Sequence, residues 1–229
     1  MTVPVIAICG IASDEASWLG MPVDRVVVPR GPTIDAMAGA ILAGLPERFA
    51  LCGHSMGGYV ALAIAARAPG RIAGLAMLGS ACTADSETQG EGRRQAIEQA
   101  QTDFGAVADR LARAVLSRAS RADAALLADM RAMLLRSGAA RFIEHQRAAA
   151  TRADRCGLLA GLAVPALVLA GEEDIIVLPD RAREMAAALP DAVLLMIPGC
   201  GHIPQREAPA ATAAAIAAWR VRVDSAAGA

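Results

Sequence analysis

The sequence predicts an α/β protein: a mostly parallel sheet flanked by helices, with a helical insertion. Three observations predict it. Short aliphatic runs recur that do not alternate apolar with polar residues and that stop at Gly or Pro, as strands buried on both faces of a parallel sheet do. Helical segments lie between these runs, and strand alternating with helix implies crossover connections between parallel neighbours. The stretch 81–160 breaks this alternation and holds no convincing strand.

The elements follow in order. Val3–Cys9 is the first strand and stops at Gly10; Arg25–Val28 is the second and stops at Pro29. Thr33 can cap a helix running to about Leu45. Phe49–Cys52 is a strand that leads into Gly53. A helix over Gly57–Ala68 places Val60 and Ile64 on one face, with Gly70 as its stop. Leu75–Leu78 is the fourth strand. The insertion holds more than half of the 22 basic residues, with acidic residues interspersed. Ala106–Ser117, Ala122–Leu135 and Ala140–Thr151 each carry apolar positions at helical spacing, such as Val107, Leu111 and Val115 or Leu126, Met130, Met133 and Leu134. This segment reads as a helical lid over the sheet. The alternation then returns. Ala166–Ala170 is a strand with Pro165 at its start, Asp180–Ala188 a helix, Val193–Ile197 a strand and Ala208–Arg220 a closing helix. The expected organisation is 1–80 as the first part of a core, 81–160 as the lid and 161–229 as the second part.

Composition narrows the chemistry. The 229 residues are 55% hydrophobic and 20% charged with a net charge of −1, which excludes a disordered chain and argues against nucleic acid or an anionic membrane as partner. All basic residues are Arg. With no Lys there is no Schiff base and no phosphate-loop lysine, and with no Asn there is no Cys-His-Asn site. The N-terminus lacks a basic segment ahead of an apolar one, so it is not read as a signal peptide. The five cysteines, Cys9, Cys52, Cys82, Cys156 and Cys200, show no metal-ligand spacing and read as reduced thiols of a cytoplasmic protein. Neither a metal site nor a cofactor is expected.

The strongest local signal is Gly53-His54-Ser55-Met56-Gly57-Gly58. It follows a predicted strand and opens a predicted helix, which is the context that a G-x-S-x-G turn requires. Ser55 would stand above the sheet at a helix N-terminus, where developing negative charge is favoured. Serine needs a base. Of three His, His54 lies within the turn and packs structurally, and His145 lies among charged residues of the insertion and reads as a solvated face. His202, in Pro198-Gly199-Cys200-Gly201-His202, sits on a Gly-flanked loop after the last strand, where such sheets place functional groups. A carboxylate must fix the tautomer of that base, and Asp174 in Gly171-Glu172-Glu173-Asp174 opens at the same edge, with Asp85 as a minor alternative.

These segments resemble the α/β-hydrolase fold, in particular its small, lid-bearing esterase and enol-lactonase type. The resemblance covers nearly the whole chain. It implies Ser55, Asp174 and His202 as the triad, with two backbone amides, those of Met56 and Ile11, as oxyanion donors. Members begin with an antiparallel hairpin; here Val3–Cys9 already stands at the family's third strand, which implies a sheet of about six strands. Cys9 also stands where the family commonly has His. Trp18 is placed at the pocket entrance and Arg152 as a contact to a substrate carboxylate. The expected function is a serine hydrolase that cleaves a small carboxylic ester or lactone through an acyl-enzyme, as monomer or homodimer. The same residues also serve carbon–carbon bond hydrolases and lyases, or a small-molecule receptor with residual activity.

Overall fold

Six strands among the described residues form one sheet in the order β2-β1-β3-β4-β5-β6, with every neighbouring pair parallel. They are β1 (Val5–Ile8), β2 (Arg25–Val27), β3 (Phe49–His54), β4 (Ile72–Leu78), β5 (Ala166–Gly171) and β6 (Ala192–Ile197). The computed structural model describes residues 2–228. Chain order reverses between β1 and β3. That is a switch point, where the loops leaving two adjacent strands diverge and open a crevice at their carboxyl ends. Ile8 is paired with Gly53 there, so the loops that follow carry Ile11 and Ser55 side by side.

Alternate residues of each strand feed two different cores. Ile6, Ile8, Leu51, Leu75, Met77 and Val168 face α1 (Ile34–Ala43), α2 (Met56–Arg67) and α6 (Pro179–Ala188). Val5, Ala7, Cys9, Cys52, Ala76 and Leu169 face Ile216, Trp219 and Val223 of the last helix. Both faces are apolar, which is why these runs show no alternation of polarity. Thr33 caps α1 by accepting from the Ala36 amide, as its position predicts. The last helix is two pieces, α7 (Pro204–Glu207) and α8 (Pro209–Gly228). Among the described residues no helix is long and apolar enough to cross a membrane.

Between β4 and β5 the chain is helical, with α3 (Glu87–Thr102), α4 (Phe104–Ala114) and α5 (Ala124–Ala150). α4 and α5 bury Val107, Ala112, Met130, Met133 and Phe142 in a third core, which Ala12, Ala100 and Ile203 join. The helix α5 is one run broken at Gly138, which adopts φ 79° and so falls between the two separate helices that periodicity predicts. The helix α3 has no counterpart in the prediction. It buries only Ala100, so no apolar stripe marks it, but a capping box does: the Ser86 side chain accepts from the Gln89 amide and the Gln89 side chain accepts from the Ser86 amide.

The reading of all five cysteines as reduced thiols is corrected. Cys82 and Cys156 form a disulfide across 74 residues, where the insertion leaves β4 and where it returns toward β5. The Arg155 amide donates to the Cys82 carbonyl at 2.8 Å and brings the two ends together. This removes the thiol argument for a reducing compartment. Cys9, Cys52 and Cys200 are free and buried; burial pushes the thiols of Cys9 and Cys200 up to about 12 and that of Cys52 up further, so none is a thiolate.

Candidate active site

Ser55 sits at φ 53°, a left-handed conformation that a serine adopts only when its surroundings impose it. Close packing on both sides imposes it. A Cβ at Gly53 would lie 2.6 Å from the backbone of Gly57 and Gly58, and a Cβ at Gly57 would lie 2.1 Å from the carbonyl oxygen of Ile8. Only glycine fits either place. The Ser55 amide donates to the Leu78 carbonyl at 2.9 Å and the Ser80 hydroxyl donates to the Ser55 carbonyl at 2.8 Å, which fixes the turn against β4.

The hydroxyl of Ser55 donates to Nε2 of His202 at 2.9 Å, and Nδ1–H of His202 donates to Oδ2 of Asp174 at 2.8 Å. All three residues are buried. The other oxygen of Asp174 accepts from the amides of Ile176 and Val177 at 2.8 and 2.9 Å. The carboxylate is thus held in place by the start of the next loop, and the imidazole is held in the tautomer that leaves Nε2 free to take a proton. His54 has a different part. Its Nε2–H donates to the His202 carbonyl at 2.8 Å, and burial, then the neighbouring His202, push its pKa down to about 3. It stays neutral and braces the His202 loop from below. The amides of Met56, first in α2, and of Ile11 make no hydrogen bond within the described residues.

Two further ties come from the insertion. The Val115 carbonyl, at the end of α4, accepts from the His202 amide at 2.8 Å, and Glu207 accepts from the amides of Gly201 and Ser117 at 2.9 and 2.8 Å. His145, fully buried, accepts the Ala12 amide on Nδ1 at 3.1 Å and donates from Nε2 to the Pro29 carbonyl at 2.9 Å. The solvated face expected for His145 is therefore corrected. Its charged sequence neighbours conceal an inner face, Phe142-His145-Ala149, at helical spacing. Burial lowers the pKa of His145, as a ring that must accept at Nδ1 requires.

A cavity of about 390 Å³ opens over Ser55 and His202. Its walls are apolar where α4 and α5 present Leu111, Met130, Met133 and Leu134, and the exposed Ile175 and Ile176 form part of its rim. Two expected contacts are absent from its walls. Asp14 caps a short turn over Glu15–Trp18 that sends Trp18 into the α8 core, where it is buried. The side chain of Arg152 is 2% exposed, ion-paired with Asp85, donating to the Thr83 carbonyl at 2.8 Å and stacked on Tyr59 at 4.3 Å. Arg152 thus anchors the base of the insertion. Asp85, the minor alternative acid, is committed to Arg152 and Arg93. Arg93, Gln89 and Gln146, which sequence reasoning passed over, do line the cavity. Among the described residues no group of three His, Cys, Asp or Glu side chains is gathered as a metal would need.

Comparison with known proteins agrees with this architecture. A family model for the alpha/beta hydrolase fold matches residues 33–209. The chain is 45% identical over 51 residues to a pimeloyl-[acyl-carrier protein] methyl ester esterase of Aromatoleum aromaticum, covering 22% of this chain and 20% of that protein. To the protein of the same name from Nitrosospira multiformis it is 27% identical over 171 residues, covering 70% of this chain and 64% of that one. Both matches span less than two thirds of the relative. A thermophilic esterase from Thermogutta terrifontis superposes with a TM-score of 0.85 at 27% identity, over 96% of this chain and 90% of its own. The enol-lactonase from Burkholderia xenovorans shares the fold, with a TM-score of 0.84 at 24% identity over 96% and 92%.

Proposed function

The chain belongs to the alpha/beta hydrolase fold family, and on that premise we propose that it is a serine hydrolase that cleaves a small carboxylic ester or lactone through an acyl-enzyme. The observation that carries this reading is the unbroken relay from Ser55 through His202 to Asp174, opening on a cavity of limited size. The named esterases that resemble this chain support the ester as the group attacked.

Ser55 Oγ attacks the carbonyl carbon while His202 Nε2 takes its proton. Asp174 stabilises the imidazolium through Nδ1–H. The tetrahedral oxyanion is received by the amides of Met56 and Ile11, which have no other acceptor among the described residues. His202 then returns the proton to the leaving alcohol and the ester bond breaks. A water, deprotonated by His202, attacks the acyl-serine and releases the acid. In this reading the helices between β4 and β5 act as the lid: their Leu and Met side chains exclude water and bound the acyl group. Ser55→Ala is expected to lower p-nitrophenyl butyrate turnover by at least about a thousandfold with an unchanged circular dichroism spectrum. Turnover retained in that variant overturns the assignment.

A further inference from the structure

Arg93 is placed differently from Arg152. Its Nε and Nη2 donate to the two oxygens of Asp85 at 2.6 and 3.2 Å, and its Nη1 donates to Oε1 of Gln146 at 2.7 Å. A guanidinium carries five N–H groups, so two are left over. Because a guanidinium only donates, Gln146 must turn its oxygen toward it, and the Gln146 amide NH2 is left facing elsewhere. Gln89 is constrained in the same way. Its Oε1 accepts from the Ser86 amide at 2.9 Å in the capping box, which leaves its NH2 uncommitted. Arg93, Gln146 and Gln89 line the cavity that holds Ser55. What they leave free there is donors only.

The charge balance has the same sign. Arg93 is the one charged side chain on the cavity wall, and no Asp or Glu lines it among the described residues. Asp85 is shared between two arginines, since Arg152 is paired with it as well. One positive charge is therefore unmatched in the cluster. The side chain of Arg93 is only 15% exposed, so solvent compensates it poorly.

We propose that this side of the cavity is a carboxylate subsite, and that the substrate carries a free carboxylate on the same molecule as the scissile ester or lactone. A carboxylate is an acceptor-only anion, which matches a wall of donors with excess positive charge. The subsite by itself needs only geometry and charge; the ester end of the substrate rests on the serine-hydrolase reading.

Two measurements test it separately from that reading. The first uses mono-p-nitrophenyl esters of hexane-, heptane- and octanedioic acid against p-nitrophenyl esters of the alkanoic acids of equal length. At the best length kcat/KM is expected to favour the acid-ended ester by about tenfold or more. In Arg93→Met the ratio falls to near one, and in Gln146→Leu, which keeps the Arg93–Asp85 pair, it falls part of the way. A ratio taken within one preparation is independent of the folded fraction. A ratio near one at every length in the wild type, or an unchanged ratio in Arg93→Met, overturns the subsite. The second is calorimetric titration of Ser55→Ala with the monomethyl ester of octanedioic acid against methyl octanoate. Tighter binding of the acid-ended ester, lost on adding Arg93→Met, supports the subsite even if no ester is turned over, in which case only the hydrolase reading fails. Equal binding of both ligands overturns the subsite while leaving that reading intact.

Discussion

The sheet edge and the helical insertion hold the same cavity by opposite means. At the sheet edge, position is enforced by backbone against backbone: Gly53 and Gly57 pack where no side chain fits, and Ser55 is held at positive φ by that packing. In the insertion, position is enforced by polar hooks between side chains and backbone, and by one covalent link. His145 reaches from α5 to the loop of Ile11, Val115 reaches from α4 to His202, and Cys82–Cys156 closes the base. The difference teaches which substitutions each half tolerates. Steric enforcement fails at once when a single methyl is added. A set of hooks loosens one at a time.

The comparison breaks most sharply at Gly57. Gly57→Ala would set a methyl 2.1 Å from the Ile8 carbonyl oxygen, and neither β1 nor α2 can move away without unseating Ser55. A destabilisation above about 4 kcal/mol is expected, with loss of turnover, checked by chemical denaturation and by assay of whatever folds. A stable, active Gly57→Ala protein would show that the turn is not sterically enforced.

Opening the disulfide tests the other half. Linking chain positions 74 residues apart stabilises the fold by about 4 kcal/mol in the chain-entropy picture. Cys82→Ser is therefore expected to lower Tm by on the order of ten degrees. Activity at 25 °C should fall far less than in Ser55→Ala, because no hydrogen bond of the triad depends on the link. Loss of turnover without loss of Tm would instead make the base of the insertion part of the catalytic geometry.

The smallest effect sharpens the join between the halves. His54 and His145 are both buried and neutral, with pKa values lowered in the folded state, His54 from 6.5 to about 3. A lowered histidine pKa means that the unfolded chain binds the proton more tightly, so these groups favour the fold above pH 6.5 and lose that contribution as pH falls toward 3. Around His145 stand Glu144, Arg141 and Arg30; the carboxylate opposes this loss and the arginines add to it. His145→Gln keeps an acceptor for the Ala12 amide and removes the titration. Its acid-unfolding midpoint, followed by circular dichroism, should move to lower pH. A fixed midpoint would leave the acid sensitivity to His54.

The same contrast explains what could be read from the residues. The six strands and the turn at Ser55 depend on local pattern: uninterrupted aliphatic runs, and glycines at fixed spacing around a serine. His202 and Asp174 follow from their place after the last two strands, and the structure brings both to hydrogen-bonding distance of the chain of atoms that ends at Ser55. The insertion depends on pairings between distant residues, which local pattern does not encode. Arg152 and Arg93 are the same residue type on the same insertion, and only the packing of α3 against α5 decides that Arg152 turns inward to Asp85 while Arg93 faces the cavity. Cys82 and Cys156 carry no spacing signal because their meeting is set by the whole excursion between them. Two signals were nonetheless present: the Ser86-x-x-Gln89 cap of α3 and the inward stripe Phe142-His145-Ala149.

The disulfide has a topological consequence as well as an energetic one. Residues 82–156 form a covalent ring, and α3, α4 and α5 lie wholly on it. A protease that cuts once at any site between the two cysteines opens the ring without dividing the molecule. The cut chain would run as one 23.4 kDa species until a reductant separates it into two fragments. The most charged stretch of this protein can thus be nicked while the sheet that carries Ser55 and the loop that carries His202 remain one covalent body.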